Sequence, residues 1–355
     1  MTTTGLATMG DVAALAGVST STVSRALRDS PLISSSTRER VRQAAAQLDF
    51  ALSRAASALA SGRLGRVGVL VGGPLSTWFN ASVLESAYAT LRDAGSELVI
   101  YRLRDAADRV DFFATLPARR NVDALVVASF TLRPDEYDRL AELSVPVVYL
   151  NQAVPGQPSV FIDDATAAAT GTRHLINLGH RQIGYLTTRN LEHFTFSATS
   201  RFLGVRQAVD RHNASRPDDL IPEPVRFVVD AIGGGAEVGR LAVAQLLSGD
   251  RLPSAVVTET DEIAISLIPA LQRSGIQVPV DVSVLGFDDS ALAEVVDLTT
   301  IAQPVTELAR RAAGAALTLS SEPAEALQEL HQTLPTHLVL RGTTAAPRAA
   351  GGGVS

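Results

Sequence analysis

The spacing of apolar residues predicts two short helices near the start of the chain. Thr8–Asp11 has the sequence of a capping box, and apolar residues follow it at helical spacing as far as Ala16. Gly17 interrupts this pattern, and Ser19 can cap a second helix that continues to about Arg28. Two short helices joined by a tight turn with glycine are typical of a helix-turn-helix unit.

A third helix and an alanine-rich segment are predicted next. Ser36–Glu39 reads as a second capping box, and apolar positions between Val41 and Leu48 form the stripe that would close a small three-helix core. The segment Ser53–Gly62 reads as a short helix that has few residues to bury and would be marginal alone in water. Its two interpretations are a linker helix that folds on a partner and a plain flexible linker.

From Val67 onward the pattern alternates between apolar β runs and helical stretches, which indicates parallel sheets covered on both faces. The runs fall into two series, and two series indicate two lobes with a cleft between them. Ligands of such sheets bind at the carboxyl ends of strands. The predicted strands are 67–71, 98–101, 124–127 and 147–150 in the first series and 183–186, 255–257 and 282–285 in the second.

Composition limits the class of protein. The chain has 355 residues, is 46% hydrophobic and contains no cysteine, so disulfides, thiolate metal sites and a cysteine nucleophile are excluded. The start of the chain lacks the pattern of a signal peptide, and no uncharged apolar stretch is long enough to span a membrane. We therefore expect a cytoplasmic protein with no membrane partner, no metal and no cofactor.

Charge is distributed unevenly along the chain. The net charge is −6, yet residues 1–66 contain eight arginines and four acidic residues, a net charge of +4. Such asymmetry predicts a basic module attached to an acidic body.

The second predicted helix has two different faces. Val23, Ala26 and Leu27 share one side, and the other side carries small hydroxyl side chains and arginines. Such a face fits the major groove of DNA, where arginine pairs with guanine and hydroxyls accept or donate. A solvated face on a small helical bundle is the alternative, and this helix alone leaves both open. The outward residues are Thr20, Ser21, Ser24, Arg25 and Arg28.

Two other classes of protein are consistent with parts of the sequence, an enzyme and a free solute-binding protein. The glycines from Gly233 to Gly239 lack the spacing of a nucleotide-binding loop, and the chain has no nucleophile-elbow or zinc-protease motif, which argues against an enzyme. The body alone would permit a free solute-binding protein, but the attached basic module argues against it. The Gly179–Arg181 turn, with its histidine, is predicted to be structural.

Several motifs together resemble the lactose/galactose repressor (LacI/GalR) family, and the resemblance extends from about residue 8 to 345. The motifs in the first part are Asp11-Val12-Ala13, Ala16-Gly17-Val18-Ser19, Thr22-Val23-Ser24-Arg25 and Thr37-Arg38-Glu39-Arg40-Val41. Those in the body include Val160-Phe161-Ile162-Asp163-Asp164, Leu178-Gly179-His180-Arg181 and Leu285-Gly286-Phe287-Asp288-Asp289.

The resemblance implies a fold and a function. An α-helical helix-turn-helix head (8–50) and a hinge helix (51–63) would precede an effector-binding and dimerisation body (64–345), followed by a disordered tail (346–355). The α/β body would have the two-lobed, periplasmic-binding-protein-like fold with parallel sheets, and the chain would cross between lobes three times. We expect an N-lobe of about 64–162 and 292–323 and a C-lobe of about 163–291 and 324–345. The expected partners are palindromic double-stranded operator DNA, a second copy of the chain and a sugar-like small molecule.

The resemblance also implies DNA-binding roles for individual residues. Thr20, Ser21 and Arg25 would face base edges. Leu59, flanked by Ala56 and Ala60, would wedge into the minor groove. Phosphates would be bound by Ser19, Thr22, Ser24, Ser34 and Thr37. Two departures are Arg28, which replaces the family's usual Asn, and Phe50-Ala51-Leu52-Ser53, which lacks the usual Pro and Asn at the start of the hinge.

For the effector, the resemblance implies a site in the cleft. Trp78 and Phe79 would stack on the ligand, while Arg201 and Asp288 would hydrogen-bond to it. Asn151 is a further candidate. Asp261 can either cap a helix or touch the ligand, because Thr260 replaces the usual Asn of the family's Asn-Asp pair.

Overall fold

The structure is a computed structural model that describes residues 7–27, 29–50, 63–189, 197–231, 235–249, 251–321 and 331–348. Its contacts divide the chain into two compact units, 1–65 and 66–355, which we call the head and the body.

The head contains the three helices predicted from the sequence: α1 (Met9–Ala16), α2 (Thr20–Leu27) and α3 (Ser35–Gln47). The capping box at Thr8 is present, since the Thr8 amide donates to Asp11 Oδ2 at 2.8 Å and the Asp11 amide donates to Thr8 Oγ1 at 3.3 Å. Gly17 ends α1 with φ 64°, a left-handed conformation that costs glycine little. The short turn after it lets α2 pack across α1.

A small apolar core closes the head. Val12, Val23, Ala26 and Val41 are fully or almost fully buried in it, so each helix contributes to the same cluster. Leu15, which continues the apolar pattern of α1, is instead 51% exposed.

The start of α3 differs from the prediction. Ser34 is the N-cap and its Oγ accepts the amide of Thr37 at 3.3 Å, so the predicted box beginning at Ser36 is wrong. Ser36 lies within the first turn of α3, where a hydroxyl cannot cap the helix.

The body alternates strands and helices as the sequence predicts. Its first elements are β1 (Arg66–Gly72), α4 (Trp78–Asp93), β2 (Glu97–Leu103), α5 (Ala106–Thr115), β3 (Ala124–Ala128), α6 (Pro134–Ala141), β4 (Val147–Leu150), β5 (Ser159–Ile162), α7 (Asp164–Leu178), β6 (Ile183–Thr188) and α8 (Ser197–Ser215). The later elements are β7 (Val225–Val229), α9 (Ala236–Leu247), β8 (Ala255–Thr258), α10 (Asp261–Arg273), β9 (Ser283–Asp288), α11 (Ala291–Val295), β10 (Thr300–Ala302), α12 (Val305–Ser321), β11 (His331–Leu334) and β12 (His337–Val339).

The strands form two six-stranded sheets, which define two lobes. Lobe 1 has the order β11-β5-β4-β3-β1-β2, and lobe 2 has the order β12-β10-β9-β8-β6-β7. Neighbouring strands are parallel throughout, except that β12 is antiparallel to β10. Every residue of β3, β8 and β9 is buried, as expected for central strands covered by helices on both faces.

The chain passes between the lobes three times: after β5, after β10 and after β11. Part of the predicted lobe division is therefore wrong. Residues 300–302 pair with β9 and Ala293 packs in the core of lobe 2, so 292–302 belongs to lobe 2 and not to the N-lobe. Residues 331–334 pair with β5, so they complete the sheet of lobe 1 and not that of the C-lobe.

His180 anchors the end of the chain to lobe 2. The side chain is fully buried, with Nδ1 2.9 Å from Ser254 Oγ and Nε2 2.9 Å from the carbonyl oxygen of Ala345. Arg348 extends this attachment through an ion pair with Asp281 at 2.8 Å. The predicted disordered tail thus includes at least three placed residues, 346–348, while 349–355 lie outside the described residues.

Within the described ranges, no helix combines the length and the apolar character needed to cross a membrane.

Candidate functional site

The outward face of α2 is the first candidate site. Thr20, Ser21 and Arg25 are exposed, and Val23 and Ala26 hold the opposite face in the head core. Thr22 and Ser24 are half-buried. The face therefore consists of small hydroxyl side chains and one long cation, as the sequence predicts.

Hydroxyl groups cluster where α2 begins. Ser19 Oγ accepts the amide of Thr22 at 3.2 Å and lies 2.8 Å from Ser21 Oγ and 2.9 Å from Thr22 Oγ1. Ser34 and Thr37 form a similar pair at the start of α3, with their hydroxyl oxygens 2.9 Å apart. Hydroxyls and amides at a helix N-terminus are a suitable setting for a phosphate group.

The arginines of the head differ in their pairing. Arg42 forms an ion pair with Asp29 at 2.6 Å, and Arg38 donates to the carbonyl oxygens of Ser30 and Ile33, so both support the turn between α2 and α3. Arg25 has no ion pair with any residue placed in the structure. Its charge is therefore available to a partner. Arg28, Ala56, Leu59 and Ala60 lie outside the described residues.

The second candidate site is a cavity of about 270 Å³ between the two lobes of the body. Lobe 1 contributes the ends of β2 and β3, the residues that follow β1, and the start of α4. Lobe 2 contributes the ends of β6, β8, β9 and β10. This is the edge at which parallel sheets bind ligands. The wall includes Gly72, Phe79, Asn80, Arg102, Ser129, Thr188, Arg201, Glu259, Glu262, Asp288 and Gln303.

Arg201 is the centre of the lobe 2 wall. It lies on α8 and is only 3% exposed. Its Nε donates to Asp164 Oδ1 at 2.7 Å, its Nη1 donates to the carbonyl oxygen of Glu259 at 2.5 Å, and its guanidinium lies 3.5 Å from the centre of the Phe287 ring. These contacts fix the guanidinium in one orientation toward the cavity.

Asp288 completes this wall in an unusual conformation. Its φ is 133°, a region that residues with a side chain rarely adopt, and its Oδ1 accepts Gln303 Nε2 at 2.6 Å. The next residue, Asp289, has φ 58° and accepts Arg341 Nη2 at 2.8 Å. Such strained residues persist only where the surroundings hold them, and they concentrate at functional sites.

Burial dominates the electrostatics of the wall. It raises the pKa of Asp288 well above its ordinary value, and it also raises the pKa of Asp164, Glu259 and Glu262. The negative charges of Asp261 and Glu262 raise the pKa of Asp288 further, while Arg201 acts in the opposite direction.

The structure places three of the predicted effector residues in the cavity wall: Phe79, Arg201 and Asp288. Trp78 is not part of this wall. It begins α4 and lines a neighbouring cavity of about 550 Å³, because successive helical side chains diverge by about 100° and only Phe79 turns toward the cleft. Asn151 is buried behind the wall, where its Nδ2 donates to Ser129 Oγ at 3.3 Å.

Asp261 plays neither of the two roles considered for it. Thr260 caps α10, and Asp261 is buried behind the wall, where it accepts the amide of Ser290 at 2.7 Å and the hydroxyl of Thr300 at 2.6 Å. It therefore ties α10 to the strand β10.

Sequence reasoning missed several residues of the wall, notably Arg102, Ser129, Glu259 and Gln303. Their positions in the sequence could have indicated the site, because each of the four lies at or directly after the carboxyl end of a parallel strand.

Comparisons with known proteins agree with this architecture. The family described as "Bacterial regulatory proteins, lacI family" matches residues 8–52, and a periplasmic binding protein-like domain matches residues 172–344. The transcriptional regulator GalR of Escherichia coli (strain K12) is 31% identical, with 96% of this chain and 97% of GalR covered. This chain belongs to the lacI family of bacterial regulatory proteins. As a member of that family it is a DNA-binding transcriptional regulator.

Solved structures of lacI-family regulators show the same fold. The lac repressor dimer bound to operator and the anti-inducer ONPF has a TM-score of 0.81 and 27% identity, with 96% of this chain and 100% of that chain covered. The complex of the transcriptional regulator CelR with cellobiose has a TM-score of 0.66 and 26% identity, with 95% and 99% covered. The predicted family and fold class are thereby confirmed.

Proposed function

We propose that this regulator represses transcription as a homodimer on a palindromic operator, and that a small polar effector in the cleft controls its affinity for DNA. The lac repressor dimer bound to operator and the CelR–cellobiose complex support this proposal by similarity. We infer that the protein catalyses no reaction and acts in the cytoplasm, at the nucleoid, since the curated relatives are transcriptional regulators.

The exposed α2 face carries the DNA-binding part of the proposal, together with Arg25 in its last turn, which forms no ion pair with the residues that the structure describes. In this interpretation Thr20, Ser21 and Arg25 read base edges. The phosphates are bound by Ser19, Thr22, Ser24, Ser34 and Thr37, with Arg28 as a further contact. Leu59, between Ala56 and Ala60, would enter the minor groove.

Arg25→Ala tests this part. If Arg25 pairs with guanine, the variant loses about 1–3 kcal/mol of binding to an operator selected from random-sequence DNA, while its binding to unrelated DNA changes little. Gel-shift titrations measure both. Arg216→Ala, which removes an exposed arginine of the body, is the control. Equal weakening on both DNAs would assign Arg25 to phosphates, and the absence of any specific complex for the wild type would refute the repressor proposal.

Leu59→Ala tests the minor-groove contact separately. The variant should bend the operator less than the wild type in a circular-permutation assay, because the wedge between base steps is lost. An unchanged bend would show that Leu59 is not the wedge.

The effector part rests on the cavity wall, in which the fixed Arg201 and the strained Asp288 face Phe79. A thermal-shift screen against sugars and nucleosides would identify ligands. Any ligand found should change the operator affinity, and the operator should change the ligand affinity by the same factor. Ligand binding that leaves the operator affinity unchanged would contradict the proposed coupling.

A further inference from the structure

The lobe 2 side of the cleft holds more buried and half-buried carboxyl groups than buried cations. Three carboxyl groups line the cavity there, two more are buried directly behind the wall, and a single buried arginine accompanies them. The lining acids are Glu259, Glu262 and Asp288; those behind are Asp164 and Asp261, and the arginine is Arg201.

Arg201 already has acidic partners. Its guanidinium forms an ion pair with Asp164 at 2.7 Å and lies 3.8 Å from Asp288. In the described part of the chain it forms no ion pair with the carboxylate of Glu259 or of Glu262; only the backbone oxygen of Glu259 accepts from it. Two acids of the wall thus lack a cationic partner among these residues.

Glu259 is the better placed of the two. It follows β8 directly and is 5% exposed, and its carboxylate is held by the hydroxyl of Thr187 and the amide of Thr188. Both donors are neutral. They fix the position of the carboxylate. Burial raises the pKa of Glu259 and outweighs Arg201 and Arg226, which stabilise its charge from a distance, without an ion pair to it among the described residues.

Gln303 is a further polar group of this wall with an unsatisfied hydrogen-bonding atom. This side chain is 7% exposed and lines the cavity, and its Nε2 donates to Asp288. Its Oε1 is buried and accepts no hydrogen bond from the residues that the structure describes.

Arginines at the rim do not supply the missing charge. Arg104 and Arg189 are more than 60% exposed and already pair with Asp108 and Asp230. Arg102 is exposed on lobe 1, where its Nε donates to the carbonyl oxygen of Gly73. Solvent screens such exposed charges, so they offset the buried carboxylates weakly.

We propose that the effector carries a cationic amino group, which Glu259 binds. The chemical class is an aminated polyol such as an amino sugar: an ammonium group has three N–H donors, and the remaining hydroxyls suit Arg201 and Gln303. This inference rests on the proposed function of the cleft as an effector site.

Three sets of sugars test it: glucosamine, galactosamine and mannosamine, their N-acetyl derivatives, and the parent hexoses. At neutral pH at least one amino sugar should bind the wild type at least tenfold more tightly than its hexose and its N-acetyl derivative, measured by calorimetry. Glu259→Gln should abolish this preference without removing hexose binding. The surface variant Glu223→Gln should retain it.

The pH dependence gives a second readout. Amino-sugar affinity should increase as the pH rises through the pKa of Glu259, which burial places above its ordinary value, because only the ionised carboxylate attracts the ammonium group. Equal affinity for the three forms, a preference that survives in Glu259→Gln, or binding by no amino sugar would each overturn the proposal. Operator binding is measured independently, so failure of the repressor function would be recognised separately.

Discussion

At the scale of single residues, the effector cavity depends on one buried ion pair. Arg201 and Asp164 are each 3% exposed, and their contact joins α8 to the first residue of α7. Removing one partner of such a pair leaves an uncompensated buried charge, which costs far more than the intact pair contributes.

Arg201→Met should therefore lower the free energy of unfolding by about 3–5 kcal/mol, measured by urea denaturation with circular dichroism. The double variant Arg201→Met/Asp164→Asn should recover part of this loss, because it also removes the charge left unpaired. A single variant that unfolds like the wild type would mean that the pair is not buried as described.

At the scale of elements, α7 and α8 approach each other at a glycine. A Cβ at Gly204 would lie 2.1 Å from the carbonyl oxygen of Ala165, which is too close for the two helices to keep their separation. Gly204 lies one helical turn from Arg201, and Ala165 follows Asp164. The spacing of the helices and the geometry of the effector site are thus set together.

Gly204→Ala should cost about 1–3 kcal/mol of stability and weaken effector binding, although the residue does not line the cavity. Gly314→Ala on α12 is the matched control, because its Cβ would meet nothing within 4 Å. That substitution should stabilise the protein by up to about 1 kcal/mol through helix propensity. Urea denaturation measures the free energy of unfolding of both variants. Equal changes in Gly204→Ala and Gly314→Ala would contradict the close approach of α7 and α8.

The element that anchors the C-terminal segment should respond to pH. Burial lowers the pKa of His180, so the folded state binds fewer protons than the unfolded state. Its contribution to stability is present above the ordinary pKa of about 6.5 and is lost as the pH falls through that value toward the lower pKa of the folded state.

We therefore expect the melting temperature to fall less steeply between pH 7 and pH 5 in His180→Gln than in the wild type. The buried acids of the cleft have raised pKa values and act in the opposite direction, but they are present in both proteins. Parallel melting curves across this range would show that His180 does not titrate on unfolding.

At the scale of the whole body, a hydrogen bond joins residues of the two lobes at the cleft. The amide of Trp78, the first residue of α4, donates to Glu262 Oε1 at 3.4 Å, and Glu262 belongs to the first turn of α10. Glu262 lines both cavities, and Trp78 is the single tryptophan of the chain.

Glu262→Ala should loosen this contact and expose the indole. Its fluorescence should then shift to longer wavelength, and acrylamide should quench it more strongly than in the wild type. Glu85→Ala, an exposed change on α4, the helix that begins at Trp78, should leave both measurements unchanged. Unchanged quenching in Glu262→Ala would show that the contact does not shield the indole.

Features that depend on residues close together in sequence were predicted better than features that depend on residues far apart in sequence. The capping box at Thr8 and the exposed placement of the polar face of α2 depend on neighbours in sequence and were predicted correctly, whereas choosing Ser36 over Ser34 was an error of two positions. The lobe assignment of β10 and β11 depends on pairing with strands that are distant in sequence, which periodicity does not reveal.

The cavity wall was predicted in part for the same reason. Arg201 and Asp288 could be predicted to line the cleft because they occupy motif positions shared with the family. Glu259 and Gln303 occupy positions that no motif marked, and only the meeting of several strand ends brings them together.

The strand order has a consequence for how the protein is made. The head has a core of its own within the first fifty residues and can form early in synthesis. Neither lobe can be completed until the ribosome has passed residue 331, because β11 finishes one sheet and β12 the other. A nascent chain that stops before this point would carry an intact DNA-binding unit on two unfinished lobes. Premature termination should therefore yield degraded or aggregated products, and a truncated regulator that retains effector control is not expected.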